Sequence, residues 1–208
     1  MASAQKPSSK HFHTFQNTTI GANIPRGGNA FTRWLGRFFI RLQGWKVEGK
    51  LPDEPKLIAA VGPHTSNWDF CVAMPFVLAM GLKISYLGKH TLFIWPFKYF
   101  FEWLGGIPLD RTHAHGVVGE MSRAFAEREQ LLLALAPEGS RSKVKDLKTG
   151  FLHMSAETGV PIILIGLDFA SKTMKFGPVI HASGDIEKDT QIVMDYYASQ
   201  TGKKPEQA

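Results

Sequence analysis

Short apolar runs that stop at glycine or proline alternate with longer helical segments along most of this chain. The run 56–61 ends at Gly62-Pro63 and the run 131–136 ends at Pro137, as buried strands commonly do. The predicted strands are 56–61, 84–88, 131–136, 160–169 and 174–180. The predicted helices are 30–43, 67–80, 116–130 and 150–158, and Pro75 predicts a kink or early end in the second. This alternation predicts an α/β fold in which a mixed β-sheet is flanked by helices.

The length of the chain fits one domain. At 208 residues it can enclose one sizeable core and is short for two. Residues 1–28 are rich in Ser, Thr, Asn, Gly and Pro, so we expect a flexible N-terminal arm before a domain over residues 29–200. The single cysteine cannot form an internal disulfide, and the first residues lack the apolar stretch of a secretion signal. We therefore expect a cytoplasmic protein.

The excess positive charge lies at the N-terminus. Residues 1–50 carry eight Lys or Arg and one acidic residue, whereas the remainder carries sixteen basic and seventeen acidic residues. Such asymmetry indicates an anionic partner. In the predicted amphipathic helix 30–45, Arg33, Arg37 and Arg41 recur every fourth residue beside many apolar side chains, as in helices that lie among lipid headgroups. The alternative is a helix whose apolar face packs on the core. We expect contact with a membrane surface rather than nucleic acid, because no nucleic-acid-binding motif accompanies the charge.

The motif His64-Thr-Ser-Asn-Trp-Asp69 places a histidine and a carboxylate between a predicted strand and a predicted helix. Imidazole takes up a proton near neutral pH, and a carboxylate on its second nitrogen fixes its tautomer. On one straight helix the two side chains would diverge by about 140°. They meet only if His64 precedes the helix and Asp69 lies in its first turn. We interpret them as a general base and its orienting group, against the alternative that Asp69 merely suits the helix dipole.

Two later motifs carry anion-binding groups. Gly106-Ile-Pro-Leu-Asp-Arg111 delivers one arginine, and Pro137-Glu-Gly-Ser-Arg141 delivers another after a predicted buried strand. Arginine binds phosphate or carboxylate through two parallel hydrogen bonds, and Gly139 lets backbone amides approach an anion. Glu138 is unexpected beside an anion, and we interpret it as a partner that holds an arginine in place. A β-turn and surface ion pairs are the alternatives. The three motifs together indicate an enzyme that deprotonates a hydroxyl of an anionic acceptor.

In this order, and followed by Val160-Pro161-Ile162, the motifs resemble those of the glycerolipid acyltransferases, the family of 1-acylglycerol-3-phosphate acyltransferase. The resemblance covers most of the chain. It implies that His64 acts as base on the acceptor hydroxyl, which attacks an acyl thioester in one step, and that Asp69 orients the base. One departure is Pro63, because the family usually has asparagine before this histidine.

The resemblance also implies a site for the acceptor phosphate. Arg111 and Arg141 match the family's arginines, and Lys89 matches a basic position between the first two motifs. Glu138, Gly139 and Ser140 complete the third motif. Ser140 stands where the family usually has threonine and keeps its hydroxyl.

The expected activity is O-acyl transfer from acyl-CoA or acyl carrier protein to a lysolipid hydroxyl at the inner face of the membrane. The default acceptor is 1-acylglycerol-3-phosphate, which gives phosphatidic acid. We expect no cofactor and no metal ion, because His113-Ala-His115 lacks a third ligand. The aromatic segment 92–104 is either a core helix or a greasy surface that admits an acyl chain. Another lysolipid such as lyso-ornithine lipid is an alternative acceptor. An acyl thioesterase and a non-catalytic lipid-binding protein are the alternative classes.

Overall fold

The strands form one mixed sheet. A computed structural model describes residues 20–63, 66, 68–109, 114–138 and 147–202. The strands within these ranges are β1 (Lys46–Glu48), β2 (Lys56–Gly62), β3 (Ile84–Lys89), β4 (Gly106–Leu109), β5 (Leu131–Leu135), β6 (Ile162–Asp168) and β7 (Thr173–Ile180). Their order in the sheet is β1-β7-β6-β2-β5-β3-β4. Neighbouring strands are parallel except β6 and β7, which are antiparallel. The predicted mixed α/β fold is therefore confirmed.

Helices cover both faces of this sheet. The helices of the described residues are α1 (Ala30–Gln43), α2 (Trp68–Met80), α3 (Phe97–Trp103), α4 (Ala114–Glu127), α5 (Gly150–Thr158) and α6 (Ile186–Ala198). Successive residues of a strand face opposite sides of a sheet. In β2, Leu57 belongs to the core beneath α1 and α2, whereas Ile58 belongs to the core beneath α4, α5 and α6. We call α1, α2 and α3 the first layer and α4, α5 and α6 the second layer.

The third helix belongs to the first layer through its inward side chains. The Phe101 ring of α3 lies 6.0 Å from the Phe70 ring of α2, and Leu104 packs against the same core. None of the residues of α3 is buried. The core-helix interpretation of segment 92–104 is therefore wrong, because its large side chains mostly face outward.

Local signals define the first helix. Its N-cap Asn29 accepts a hydrogen bond from Thr32 N at 3.0 Å, and the Thr32 hydroxyl accepts one from Asn29 N at 2.8 Å. This reciprocal pair satisfies backbone donors that a helix start leaves open. The helix buries Thr32, Gly36 and Ile40 against α2, a spacing of four that forms one helical stripe. Small side chains in the stripe allow the two backbones to approach closely.

Pro75 does not end the second helix, which continues to Met80. A proline inside a helix leaves the carbonyl four residues earlier without its usual donor, here Cys71 O. Gln43 Nε2 donates to that oxygen at 3.4 Å. The early end predicted from Pro75 is therefore wrong, because a neighbouring helix supplies a donor and the packing against α1 holds the helix together.

Several elements escaped the sequence analysis. The strands β1 and β4 have three and four residues, and α6 lies in a segment where no helix was predicted. Short edge strands carry too few residues to show a periodic pattern. The start of α6 does have a local signal, because Asp185 caps it by accepting from Lys188 N at 3.1 Å.

The end of the expected N-terminal arm lies against the domain. Residues 1–19 lie outside the described ranges, but Ile24 is fully buried in the first-layer core. Gly27 N donates to Gly81 O at 3.0 Å, and Arg26 Nη1 donates to Met80 O at 3.0 Å. Residues 20–28 therefore contact the turn between α2 and β3.

Four neighbouring strands that precede the predicted motifs in the chain end at one edge of the sheet. In the order β2, β5, β3 and β4, they run parallel and end at Gly62, Leu135, Lys89 and Leu109. Parallel strands end at the same edge, and open α/β sheets usually bind ligands outside that carboxyl edge. The chain segments that carry the base and anion motifs follow these strand ends directly.

Candidate active site

The start of α2 provides the geometry that the base motif requires. Asp69 lies in the first turn of the helix and is 1% exposed. Its carboxylate accepts from Ser66 N at 2.8 Å and from Ser66 Oγ at 3.3 Å, and Ser66 Oγ accepts from Trp68 N at 3.1 Å. The negative charge also lies at the positive end of the helix dipole. The carboxylate is therefore fixed in orientation at the carboxyl edge.

His64 lies outside the described residues, so its role as base stays a prediction. Pro63, which precedes it, is buried at the end of β2. The two side chains can meet only if Asp69 lies in the first turn of the helix and His64 precedes it. Asp69 does lie in the first turn of α2, and His64 precedes the helix in the chain.

The anion-binding motifs are described only in part. Lys89 is the last residue of β3, and its Cα pairs with that of Leu109 at the end of β4. Glu138 follows β5 and the buried Pro137, and it is half-buried. The side chain of Lys89 and the residues Arg111, Gly139, Ser140 and Arg141 lie outside the description. The structure thus brings Asp69, Glu138 and the Lys89 backbone to one edge.

The C-terminal end of α6 adds a residue that the sequence analysis missed. Tyr197 is buried and its hydroxyl donates to Ala60 O of β2 at 2.7 Å. A Cβ placed on Gly62 would lie 2.9 Å from the Tyr197 ring, so only glycine fits there. Burial raises the pKa of Tyr197 well above its usual value, and the charge of Glu138 acts in the same direction. A neutral Tyr197 therefore packs against the end of β2. That strand ends at Gly62, two residues before His64 in the chain.

A second glycine in close contact with the C-terminal segment lies beside Gly62. Gly166 of β6 pairs with Gly62 across the two strands. A Cβ on Gly166 would lie 2.9 Å from the Gln200 side chain, which follows α6. The spacing of buried residues in α6, Asp189, Val193 and Tyr197, is the signal that could have identified this helix, although not its contacts.

Among the residues that the structure describes, no group of three His, Cys, Asp or Glu side chains could hold a metal ion. His113 and the side chain of His115 lie outside that part of the chain. No helix of the described residues is long and apolar enough to cross a membrane.

Comparison with known proteins agrees with this arrangement. The Acyltransferase family model matches residues 45–168, more than half of the chain and a range that includes all the predicted site residues. No curated protein matches the chain significantly. One similar solved structure is the 1-acyl-sn-glycerophosphate (LPA) acyltransferase PlsC from Thermotoga maritima, with 16% sequence identity and a TM-score of 0.55. The alignment covers 83% of this chain and 80% of that chain, and shows a shared fold.

The fixed Asp69 carboxylate lies at the carboxyl edge of the sheet, where open α/β sheets usually bind ligands. The chain belongs to the acyltransferase family. The resemblance to glycerolipid acyltransferases is thereby confirmed.

Proposed function

We propose that this enzyme transfers a fatty acyl chain from acyl-CoA or acyl carrier protein to the free hydroxyl of a lysolipid. The proposed acceptor is 1-acylglycerol-3-phosphate and the product is phosphatidic acid. The observation that carries the proposal is the buried Asp69 carboxylate, held by two hydrogen bonds from Ser66 at the edge where the motif-bearing strands end. The same hydrogen bonds also cap the start of α2, so the activity of an Asp69→Asn variant decides whether the carboxylate acts in catalysis as well.

In the proposed mechanism His64 takes the proton from the acceptor hydroxyl as its oxygen attacks the thioester carbonyl carbon. The carbon–oxygen bond forms, the carbon–sulfur bond breaks, and the thiolate leaves with the proton that His64 carried. Asp69 stabilises the imidazolium and fixes its tautomer. A positioned general base contributes about 10²- to 10⁴-fold in rate. No acyl-enzyme is needed, and no cofactor takes part.

The anion motifs supply acceptor binding in this proposal. Arg111 and Arg141 bind the acceptor phosphate, each with a planar pair of donors. Lys89 adds a positive charge near the headgroup, and the amides around Gly139 and Ser140 complete the cradle. Glu138 holds an arginine in place. Parallel β3, β4 and β5 support this grouping, because they end side by side.

We also propose that α1 rests on the inner face of the cytoplasmic membrane. Arg33, Arg37 and Arg41 line a shallow groove on α1 together with Trp34 and Phe38. The rings of Phe31, Trp34 and Phe38 follow one another at 5.9 Å spacing on the outside of the helix, and each side chain is about half exposed or more. Basic groups beside exposed aromatics suit the headgroup region of an anionic bilayer. Thr32, Gly36 and Ile40 fill the interface of α1 with the rest of the domain, so Phe31, Trp34 and Phe38 lie outside it.

The decisive experiment is product analysis with labelled acyl-CoA or acyl carrier protein and a panel of lysolipids. The wild type is compared with His64→Ala, Asp69→Asn and the matched control His153→Ala, an exposed histidine of α5. We expect diacyl product from 1-acylglycerol-3-phosphate, a loss of about 10²- to 10⁴-fold in kcat for the first two variants, and no change for the control.

Other products would overturn the proposal in distinct ways. Product from lyso-ornithine lipid alone would replace the acceptor and keep the mechanism. Free fatty acid that is independent of acceptor would identify a thioesterase. Absence of turnover with both donors, with binding to vesicles retained, would favour a non-catalytic lipid-binding protein.

A further inference from the structure

We propose that α3 and the turn before it form a second membrane-contact surface. Its members are large apolar side chains between residues 94 and 103, and we call them the aromatic patch: Ile94, Trp95, Phe97, Tyr99, Phe100 and Trp103. The inference deepens the proposed contact of α1 with the bilayer and rests on it. It assigns α3 a role that the acyl-transfer reaction itself does not require.

The aromatic patch is uncovered although the segment is firmly attached. Its six side chains are between 52% and 82% exposed. Attachment comes from the other side of the segment, where the Phe93 and Phe101 ring centroids lie 5.9 Å apart and the Tyr86 hydroxyl donates to Phe101 O at 3.3 Å. Among the outward side chains, Phe100 contacts the inward Phe101 ring at 5.5 Å, and the others are exposed beyond it. A soluble surface rarely presents so many contiguous aromatics unless they contact something.

The aromatic patch lies on the same side of the sheet as the exposed aromatics of α1. Both helices flank α2, whose own exposed positions are Trp68 and Cys71. Apart from Asp69, which is buried, α2 carries no charged residue. The outer side of the first layer therefore exposes large apolar side chains on α1, α2 and α3, beside the arginines of α1 and the Lys98–Glu102 pair of α3.

A bilayer fits the chemistry of this surface better than a protein partner or an enclosed acyl chain. Tryptophan and tyrosine favour the interface between hydrocarbon and headgroups, where an apolar ring and a polar tip are both accommodated. The charges of α3 balance, because Lys98 and Glu102 pair at 3.7 Å. Net positive charge enters from α1, which has three arginines and no acidic residue. This distribution matches an anionic membrane with an apolar interior, whereas side chains that point outward enclose no acyl chain.

Site-directed fluorescence tests the inference directly. In a Cys71→Ser background, the environment-sensitive fluorophore NBD is attached to the new cysteine of Tyr99→Cys, which lies in the aromatic patch. The control carries NBD on the new cysteine of Ala126→Cys, on the exposed side of α4. With vesicles of phosphatidylcholine and phosphatidylglycerol, we expect a blue shift and brighter emission at position 99 and no change at position 126. Protein that sediments with the vesicles while the probe at 99 stays unshifted would refute the proposal and leave the α1 contact intact.

Two further outcomes also count against it. A shift at position 99 that depends on protein concentration without vesicles would mean that a second copy covers the aromatic patch. A shift caused by a soluble medium-chain acyl-CoA without vesicles would mean that the aromatic patch binds the acyl donor. If the labelled protein does not sediment with the vesicles at all, the proposed contact of α1 with the membrane is contradicted. That result differs from sedimentation without a shift at position 99, which contradicts only the role of the aromatic patch.

Substitution supplies an independent measurement. We expect Trp95→Gln combined with Phe97→Gln to weaken partitioning into these vesicles at least about tenfold. The double variant no longer gains the free energy of moving two exposed rings from water into the bilayer. The matched control is Ile192→Gln combined with Met194→Gln, which removes exposed apolar side chains from α6 in the second layer. It should bind as the wild type does. Equal thermal melting of both variants excludes unfolding, and unchanged binding of the Trp95, Phe97 variant contradicts the inference.

Discussion

The two helical layers have similar inner faces and opposite outer faces. Each covers the sheet with aromatic and aliphatic side chains, and each core contains fully buried phenylalanines such as Phe76 in α2 and Phe125 in α4. In the second layer the outer side of α4 is polar, with exposed Glu120, Arg123 and Glu127, and no exposed aromatic cluster is found among the described residues of this layer. The outer side of the first layer exposes aromatics instead. The difference therefore concerns what surrounds the protein and not how its core is built.

The choice of residues at the α1–α2 interface makes this clear. A soluble amphipathic helix turns its largest apolar residues toward the core. The buried stripe of α1 is Thr32, Gly36 and Ile40, whereas Trp34 and Phe38 are exposed. In α4 the large residues Met121 and Phe125 face inward. The first layer thus carries more large apolar side chains than its core uses.

The largest expected effect tests whether the inner faces are equivalent. Phe76→Ala in the first layer and Phe125→Ala in the second each remove a ring that is 1% exposed. We expect each to lower the free energy of unfolding by about 3–5 kcal/mol, because both leave a cavity in a packed core. Denaturant unfolding of the two variants measures this. A much smaller loss of unfolding free energy for Phe76→Ala would show that the core of the first layer is loosely packed. The two layers would then differ in their inner faces as well as in their outer faces.

The second effect concerns the outer surfaces. Replacing Arg33, Arg37 and Arg41 by Gln should weaken binding to anionic vesicles by about 3 kcal/mol, or roughly a hundredfold, since each basic residue near such a surface contributes about 1 kcal/mol. Vesicle sedimentation at low and high salt measures the change, and salt should narrow the gap between variant and wild type.

The second layer provides the control for this charge change. Arg123, Arg128 and Lys188 are exposed there, and their replacement by Gln removes the same number of charges. We expect wild-type binding. An equal loss in both triple variants would mean that net charge, rather than the first layer, governs membrane contact.

The smallest effect compares one glycine from each layer. A Cβ on Gly36 of α1 would lie 2.4 Å from Ala79 N and 2.5 Å from Pro75 O, whereas a Cβ on Gly119 of α4 meets nothing within 4 Å. Gly36→Ala should therefore destabilise the protein by about 1–3 kcal/mol because the α1–α2 contact cannot widen freely. Gly119→Ala should stabilise it by about 0.4–1 kcal/mol.

Thermal and denaturant unfolding of the two alanine variants measures this difference. If Gly36→Ala is neutral, α1 is held less closely on α2 than the contact distances indicate. Vesicle binding by that variant then tells whether the position of α1 matters for the outer surface.

Local patterns predicted the central part of the fold well. The helices over 30–43 and 150–158 have the predicted bounds, and the runs 56–61 and 131–136 are strands within one residue. These segments succeed because capping residues, apolar runs and Gly or Pro stops act within a few positions. The short strands β1 and β4 were missed because three or four residues show no period, and their pairing partners are distant in the chain.

The candidate site divides in the same way. The sequence order of His64, Asp69, Arg111 and Arg141 predicted the chemistry, and the first-turn position of Asp69 was predicted and is confirmed. Tyr197 was not predicted. Its contact with Ala60 O joins residues 137 positions apart, and no local pattern reports such a contact.

The sequence by itself determined the alternation of strands and helices, the start of α1 at its asparagine cap, and the residues of the acyltransferase motifs. These features depend on neighbouring residues, whose spacing is visible in the chain. Only the tertiary structure decided that β5 lies between β2 and β3, that the small stripe of α1 faces α2, and that the aromatics of α3 face outward. Those outcomes depend on which distant surfaces fit together, because a side chain that can pack in the core is buried only where a partner element covers it.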